Sequence, residues 1–174
     1  MAIERSKRRV SAARLANLTR RLLDESTLFA LATVAPDGIA HVNTAYFAWS
    51  PTLELVWLSH PDARHSRNIR ANATAAVAVY DSTQSWGRPD RGIQLSGTAS
   101  EIEEAEAGDA NELYARRFPG YRLEDLGAYR SYVFLPQWVK LFDERELGAG
   151  RFVIAVVDDG RLSWEATEIY RSGS

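Results

Sequence analysis

The chain contains no cysteine, which excludes disulfides, thiolate nucleophiles, zinc fingers and iron–sulfur clusters and leaves stability to packing alone. A reducing, cytoplasmic setting is the expectation. Long apolar runs are missing too. The stretch from Leu28 to Ala35 is interrupted by Thr33 and falls far short of the ~20 residues of a membrane span. No signal-peptide apolar block stands at the amino terminus, so a soluble protein without a membrane partner is expected. An excess of positive charge is also absent: 21 Lys plus Arg face 23 Asp plus Glu. A net charge of -2 gives no broad positive field for a nucleic-acid backbone, and nucleic acid is not an expected partner. Lysine is nearly missing, since every basic residue except Lys7 and Lys140 is arginine. An arginine therefore counts as functional only where its neighbours supply a phosphate-binding setting.

Hydrolase motifs are lacking as well. There is no GxSxG elbow and no P-loop, and Gly148-Ala149-Gly150 lacks the further glycine of a dinucleotide fingerprint. The histidines His41, His60 and His65 fall in one region, but their spacing suits no single helix face and no HExxH pattern exists, so no metal site is expected. Glu101, Glu103, Glu104 and Glu106 form a charge run that reads as a solvated helical face.

At 174 residues the chain has room for one ordinary core, and a single domain over 1–174 is expected. Residues 3–25 read as an amphipathic helix, because Val10, Ala13, Leu15, Leu18, Leu22 and Leu23 recur at helical spacing. Its arginines fit a solvated outer face. Strands follow over Thr27–Val34, Ile39–Trp49 and Thr52–Leu58, the first two joined by Pro36-Asp37-Gly38, so that the three form an antiparallel meander. Ser59 and Asp62 stand at capping-box spacing, with Pro61 between them, and predict a helix from there to about Asn72. Thr74–Tyr80 and Gly92–Ile102 read as strands around a polar loop, and Glu103–Phe118 as an acidic helix stopped by Pro119-Gly120. Tyr129–Leu135, Val139–Asp143, Phe152–Val157 and Leu162–Ala166 complete the strands. Many strands, few helices and no βαβα alternation predict a mainly antiparallel barrel with flanking helices.

The segment most able to carry chemistry is SHPDARHSRNIRAN, residues 59–72. A strand feeds a helix start carrying Arg64, His65 and Arg67 in its first turns, where free backbone donors and guanidinium groups attract phosphate. The same arginines also suit a wet helix face.

Three stretches, FALATVAPDGIAHVNTAYFAW, LELVWLSHPDARHSRNIRANATAAVAVY and WGRPDRGIQLSGTASEI, resemble in this order the pyridoxamine 5'-phosphate oxidase-like family of flavin-binding split barrels. The resemblance implies an antiparallel six-stranded split β-barrel that binds FMN at a homodimer interface. It carries backbone contacts to the flavin ring onto Asn43, Thr44, Ala45 and Tyr46, and phosphate binding onto Ser59, His60, Arg64 and His65. Gln94 stands where the family places a polar residue near the ring, and Trp86 or Trp138 is a candidate cover for it. The sequence departs from the family's serine, arginine, lysine series, reading Ala63, Arg64, His65, which loses a hydroxyl and exchanges a lysine for a histidine. No arginine-x-histidine substrate motif stands near the end, so a small-molecule substrate other than pyridoxamine phosphate is expected, and it is unassigned. The implied activity is a flavin-dependent oxidoreductase with no catalytic side chain named. The alternatives are a deazaflavin-dependent reductase, or a haem- or flavin-binding module without turnover, with His41 or His60 as the first haem ligand.

Overall fold

The computed structural model describes residues 2–122 and 127–171. In chain order it comprises β1 (Ala2–Ser6), α1 (Ala12–Glu25), β2 (Leu28–Val34), β3 (Ala40–Tyr46), β4 (Ala48–Trp49), β5 (Leu55–Ser59), α2 (Arg64–Ala71), β6 (Thr74–Tyr80) and β7 (Arg91–Glu101). A single 3-10 turn, Glu104–Glu106, leads into α3 (Gly108–Arg117), followed by β8 (Arg130–Asp143), α4 (Glu144–Leu147), β9 (Arg151–Asp158) and β10 (Arg161–Arg171). The chain is mainly β, and its strands form antiparallel pairs. Ten strands are present among the described residues, including the short segments β1 and β4, which also pair.

These elements form two compact units, each built from separate stretches of sequence. One comprises residues 1–26, 78–95 and 137–174; the other comprises 27–77 and 96–136. Strands β6, β7 and β8 contribute residues to both.

In the first unit β10 pairs with β1 on one side and β9 on the other, and β9 pairs with the second half of β8. The helix predicted over 3–25 is shorter than expected. Residues 2–6 instead take ladder hydrogen bonds from β10, and Ser11 starts α1 by accepting the Arg14 N–H on its hydroxyl. Of the expected apolar stripe, Leu15, Leu18, Leu22 and Leu23 are buried, as are Ile93, Val139, Leu141 and Val153 of the same unit, whereas Ala13 is exposed and Val10 lies before the helix. Arg21 fixes the helix further by reaching the buried Asp143 at 2.6 Å. The turn Asp158-Asp159-Gly160 closes the β9–β10 hairpin with positive φ at Asp159 and Gly160.

In the second unit β2 and β3 form a hairpin, pairing from Leu28 with Tyr46 to Val34 with Ala40. Pro36-Asp37-Gly38 turns it as expected, with Gly38 at φ 82 and the Asp37 carboxylate accepting the Ile39 N–H at 3.1 Å. The three-strand meander is not formed. The long second strand breaks at Phe47, whose ring is wholly buried, and only the short remainder β4 pairs with β5. The other edge of β5 takes the first half of β8. The two strands predicted over 129–143 are one continuous β8, in which Pro136 lies between the residues paired with β5 and those paired with β9. Phe29, Phe47, Trp57 and Tyr132 build the core, Trp57 lying edge-on to Phe29 at 5.5 Å and stacked on Tyr132 at 5.4 Å. The acidic helix starts only at Gly108, after the 3-10 turn, and it packs on β4 and β5.

Candidate functional site

Within the second unit, β3 pairs with β2 alone, so its other edge keeps free backbone donors and acceptors among the described residues. Alternation along β3 puts His41, Asn43 and Ala45 on a half-buried face and Val42, Thr44 and Tyr46 on an exposed one. The Asn43 side-chain oxygen is buried without a hydrogen-bond partner. An acceptor so placed costs free energy until a donor reaches it.

The second wall comes from the β5 to α2 junction. Ser59 closes β5 and is buried, and its hydroxyl lies 2.7 Å from His65 Nε2. The capping-box expectation fails here. Ser59 remains strand, Ala63 takes the cap position, and no side chain caps the first turn of α2. Residues 60–63 are instead held by their own hydrogen bonds. The His60 carbonyl accepts from the Ala63 N–H and the Ser66 hydroxyl, and His60 Nδ1 accepts the Asp62 N–H at 3.1 Å. Arg67 and Arg70 donate back to the Asp62 and Pro61 carbonyls. Asn68 anchors the helix to β2 by donating to the buried Thr33 hydroxyl at 3.0 Å. Through these contacts α2 presents His65 to the cleft.

Together these residues frame a cleft of about 330 Å³, lined by Asn43, Thr44, Ala45, Tyr46, Leu58, Ser59, His65, Tyr114, Tyr121 and Tyr129. Of the residues expected from sequence, His60 and Arg64 flank this lining rather than join it. Arg64 is the exposed first residue of α2, and no hydrogen bond or ion pair of its side chain is found among the described residues. Gln94 is an exposed residue of β7 in the first unit. Trp86 is fully exposed in a loop of that unit, and Trp138 is an exposed residue of β8.

Sequence reasoning missed the tyrosines. Tyr114 lies 4.7 Å from Phe118 and 5.1 Å from Tyr121, and Phe118 lies 5.7 Å from Tyr46, so α3 and its exit give the cleft an aromatic wall. The signal was present as Tyr114, Phe118 and Tyr121 at helical spacing, inside a segment whose carboxylates drew attention instead.

Electrostatically the cleft is built from neutral groups. Burial, with a smaller contribution from nearby His41, holds the His65 imidazole below its usual pKa. The two rings lie parallel at 6.5 Å. Burial raises the Tyr114 hydroxyl to about 12, so it stays protonated near neutrality. Among the described residues no carboxylate lines the cleft. A larger groove of about 610 Å³ opens elsewhere in the unit, but Glu54, Glu101, Glu103, Glu106, Asp109 and Glu112 line it. Those carboxylates repel a phosphate-bearing ligand, whereas the smaller cleft offers an unused acceptor, a hydroxyl–imidazole pair and a free guanidinium at its margin. Among the described residues no three His, Asp or Glu side chains converge as a metal-ligand set.

A family model described as pyridoxamine 5'-phosphate oxidase matches residues 16–143. The chain belongs to this family. Two curated relatives are named pyridoxine/pyridoxamine 5'-phosphate oxidase. The one from Rhodopseudomonas palustris is 31% identical over 50% of this chain and 39% of its own length. The one from Rubrobacter xylanophilus is 30% identical over 63% of this chain and 45% of its own length. The chain thus matches less than half the length of these oxidases. A solved haem-binding protein from Mycobacterium smegmatis is similar in fold, with a TM-score of 0.69 at 20% identity, over 88% of this chain and 61% of that one. The fold is the mainly antiparallel split barrel with flanking helices that the sequence resemblance implied.

Proposed function

We propose that the protein is an FMN-dependent oxidoreductase acting on a small-molecule substrate. The observation that carries this reading is the cleft beside β3, where the expected ring-contacting residues Asn43–Tyr46 meet Ser59 and His65 of the expected phosphate site. The residues fit the cofactor's chemistry. Asn43 holds a buried acceptor that lacks a donor, as the N–H edge of a flavin ring requires, and β3 keeps an unpaired backbone edge. Ser59, His60, Arg64 and His65 are the groups to hold the phosphate. With His65 kept neutral, Arg64 supplies the positive charge, and the uncapped first-turn amides of α2 add donors. Bound flavin supplies hydride transfer to or from a substrate. The chain's own part is to orient the ring, exclude water with the Tyr46–Tyr114–Tyr121 wall, and donate hydrogen bonds to developing negative charge. Val42 and Tyr46, exposed by 62% and 57%, support pairing of this face with a second copy in a homodimer. The absence of cysteine supports a cytoplasmic location.

Haem binding is the second reading, favoured by the likeness to the mycobacterial haem-binding protein. His60 suits it poorly: its Nδ1 accepts the Asp62 N–H, which leaves the ring proton on Nε2 and no lone pair for iron. His41 is then the better ligand. Absorption spectra of the purified protein, with mass analysis of what it releases on denaturation, separate the readings. Flavin bands that bleach under reductant and a released mass equal to FMN support the first. A Soret band supports haem, and a deazaflavin mass or a colourless protein that takes up no added FMN overturns the FMN assignment.

A further inference from the structure

The first unit contains a small cavity with several arginines in its lining. Arg8, Arg9, Val10 and Arg14 from the β1–α1 segment meet Glu146, Leu147, Arg151, Val153 and Thr167 around a cavity of about 130 Å³. Four arginines and one glutamate thus contribute to the lining of a small space. That carboxylate is already engaged, since Glu146 lies 3.3 Å from Arg21 and 3.6 Å from Arg14. The first turn of α1 adds to the imbalance. It holds no acidic residue and carries Arg14, although the positive end of a helix favours the opposite sign.

The cavity is framed by fixed groups. The Thr167 hydroxyl, in a residue that is buried, donates to the Arg8 carbonyl at 3.1 Å and accepts the Trp164 indole N–H at 3.0 Å. Arg9 lies over the Trp164 ring at 5.4 Å, and Arg151 donates to the Leu147 carbonyl at 3.2 Å. The backbone around Arg8 is therefore held in place. With four arginines against one glutamate, the lining carries net positive charge, which favours an anion.

We infer that this cavity binds a phosphate group, as a site separate from the cleft beside β3. Its volume suits one tetrahedral oxyanion and not a nucleotide, and planar guanidinium donors match such an anion. The group comes either from free phosphate or from a small phosphate monoester, whose organic part would lie against Val10, Leu147 and Val153. The inference does not depend on the flavin reading.

The test is calorimetric titration of the full chain with inorganic phosphate and with glycerol 3-phosphate in low-salt buffer, using the Arg64→Ala protein to weaken the other phosphate site. Saturable uptake that persists in Arg64→Ala and weakens about tenfold or more in both Arg8→Gln and Arg151→Gln is the expected result. Arg8→Lys should recover part of the affinity. Tighter binding of the monoester identifies an organic phosphate as the ligand, and equal binding identifies free phosphate. Uptake that is absent in Arg64→Ala, or unchanged by Arg8→Gln and Arg151→Gln in proteins with native circular dichroism, overturns the inference.

Discussion

Arg64→Ala tests the proposed phosphate-binding arginine against the arginines that hold the fold. Three arginines follow one another along α2, yet their circumstances differ. Arg67 and Arg70 donate to the Asp62 and Pro61 carbonyls, and Arg70 also lies 3.9 Å from Glu101. Arg64 is exposed, and no side-chain hydrogen bond or ion pair of its own is found among the described residues. Removing Arg64 therefore takes nothing from the apo protein, and its unfolding free energy should stay within about 0.5 kcal/mol of the wild type. Binding of FMN should weaken by about 1.5 to 3 kcal/mol, the scale of a hydrogen bond to a charged group, which is roughly a ten- to hundred-and-fifty-fold rise in Kd. Arg67→Ala should show the reverse pattern, losing about 0.5 to 1.5 kcal/mol of stability with a smaller effect on affinity. Quenching of flavin fluorescence on titration measures Kd, and urea denaturation measures stability. Equal FMN affinity for wild type and Arg64→Ala would refute the assignment of the phosphate to the start of α2.

The remaining predictions concern what supports the cleft. Because His65 has a folded pKa below its unfolded value near 6.5, the unfolded chain binds the extra proton first. Stability should thus be full above about 6.5 and decline as pH falls toward the folded pKa; urea midpoints across pH should show this slope, and His65→Gln should remove its share. Asn68→Ala leaves the wholly buried Thr33 hydroxyl without its donor, and should cost about 1 to 3 kcal/mol in the same assay while loosening α2 from β2. In Gly97→Ala, the added methyl would lie 2.0 Å from the Leu135 carbonyl oxygen, so a loss of about 1 to 3 kcal/mol or more is expected, and an unchanged thermal midpoint would contradict the close β7–β8 approach.

The parts of the fold that were legible in the sequence are those decided by local chemistry. Pro36-Asp37-Gly38 specifies its own turn, and Thr74–Tyr80, read as a strand from its β-branched and apolar content, is one to the residue. What escaped was decided at a distance. Nothing within Ala2–Ser6 marks it as strand; its partner lies on β10, more than 160 residues along the chain. Ser59 looked like a helix cap because serine, proline and aspartate fit that role, yet the β5–β8 ladder keeps it extended and His65 takes its hydroxyl. The stretch 129–143 read as two strands, whereas β8 runs on through Pro136, pairing with β5 before it and with β9 after it. At the candidate site the sequence offered β3 and the α2 start, while the tyrosine wall required α3 to be placed beside β4 and β5.

The β1–β10 pairing sets the order in which the protein can be made. Ala2–Ser6 is synthesised more than 160 residues before its partner Thr167–Arg171. Until then β1 has no partner strand, and the charges of Glu4 and Arg5 discourage it from templating neighbouring nascent chains. Closing so long a loop is entropically slow, so completion of the first unit should lag behind the β2–β3 hairpin during refolding.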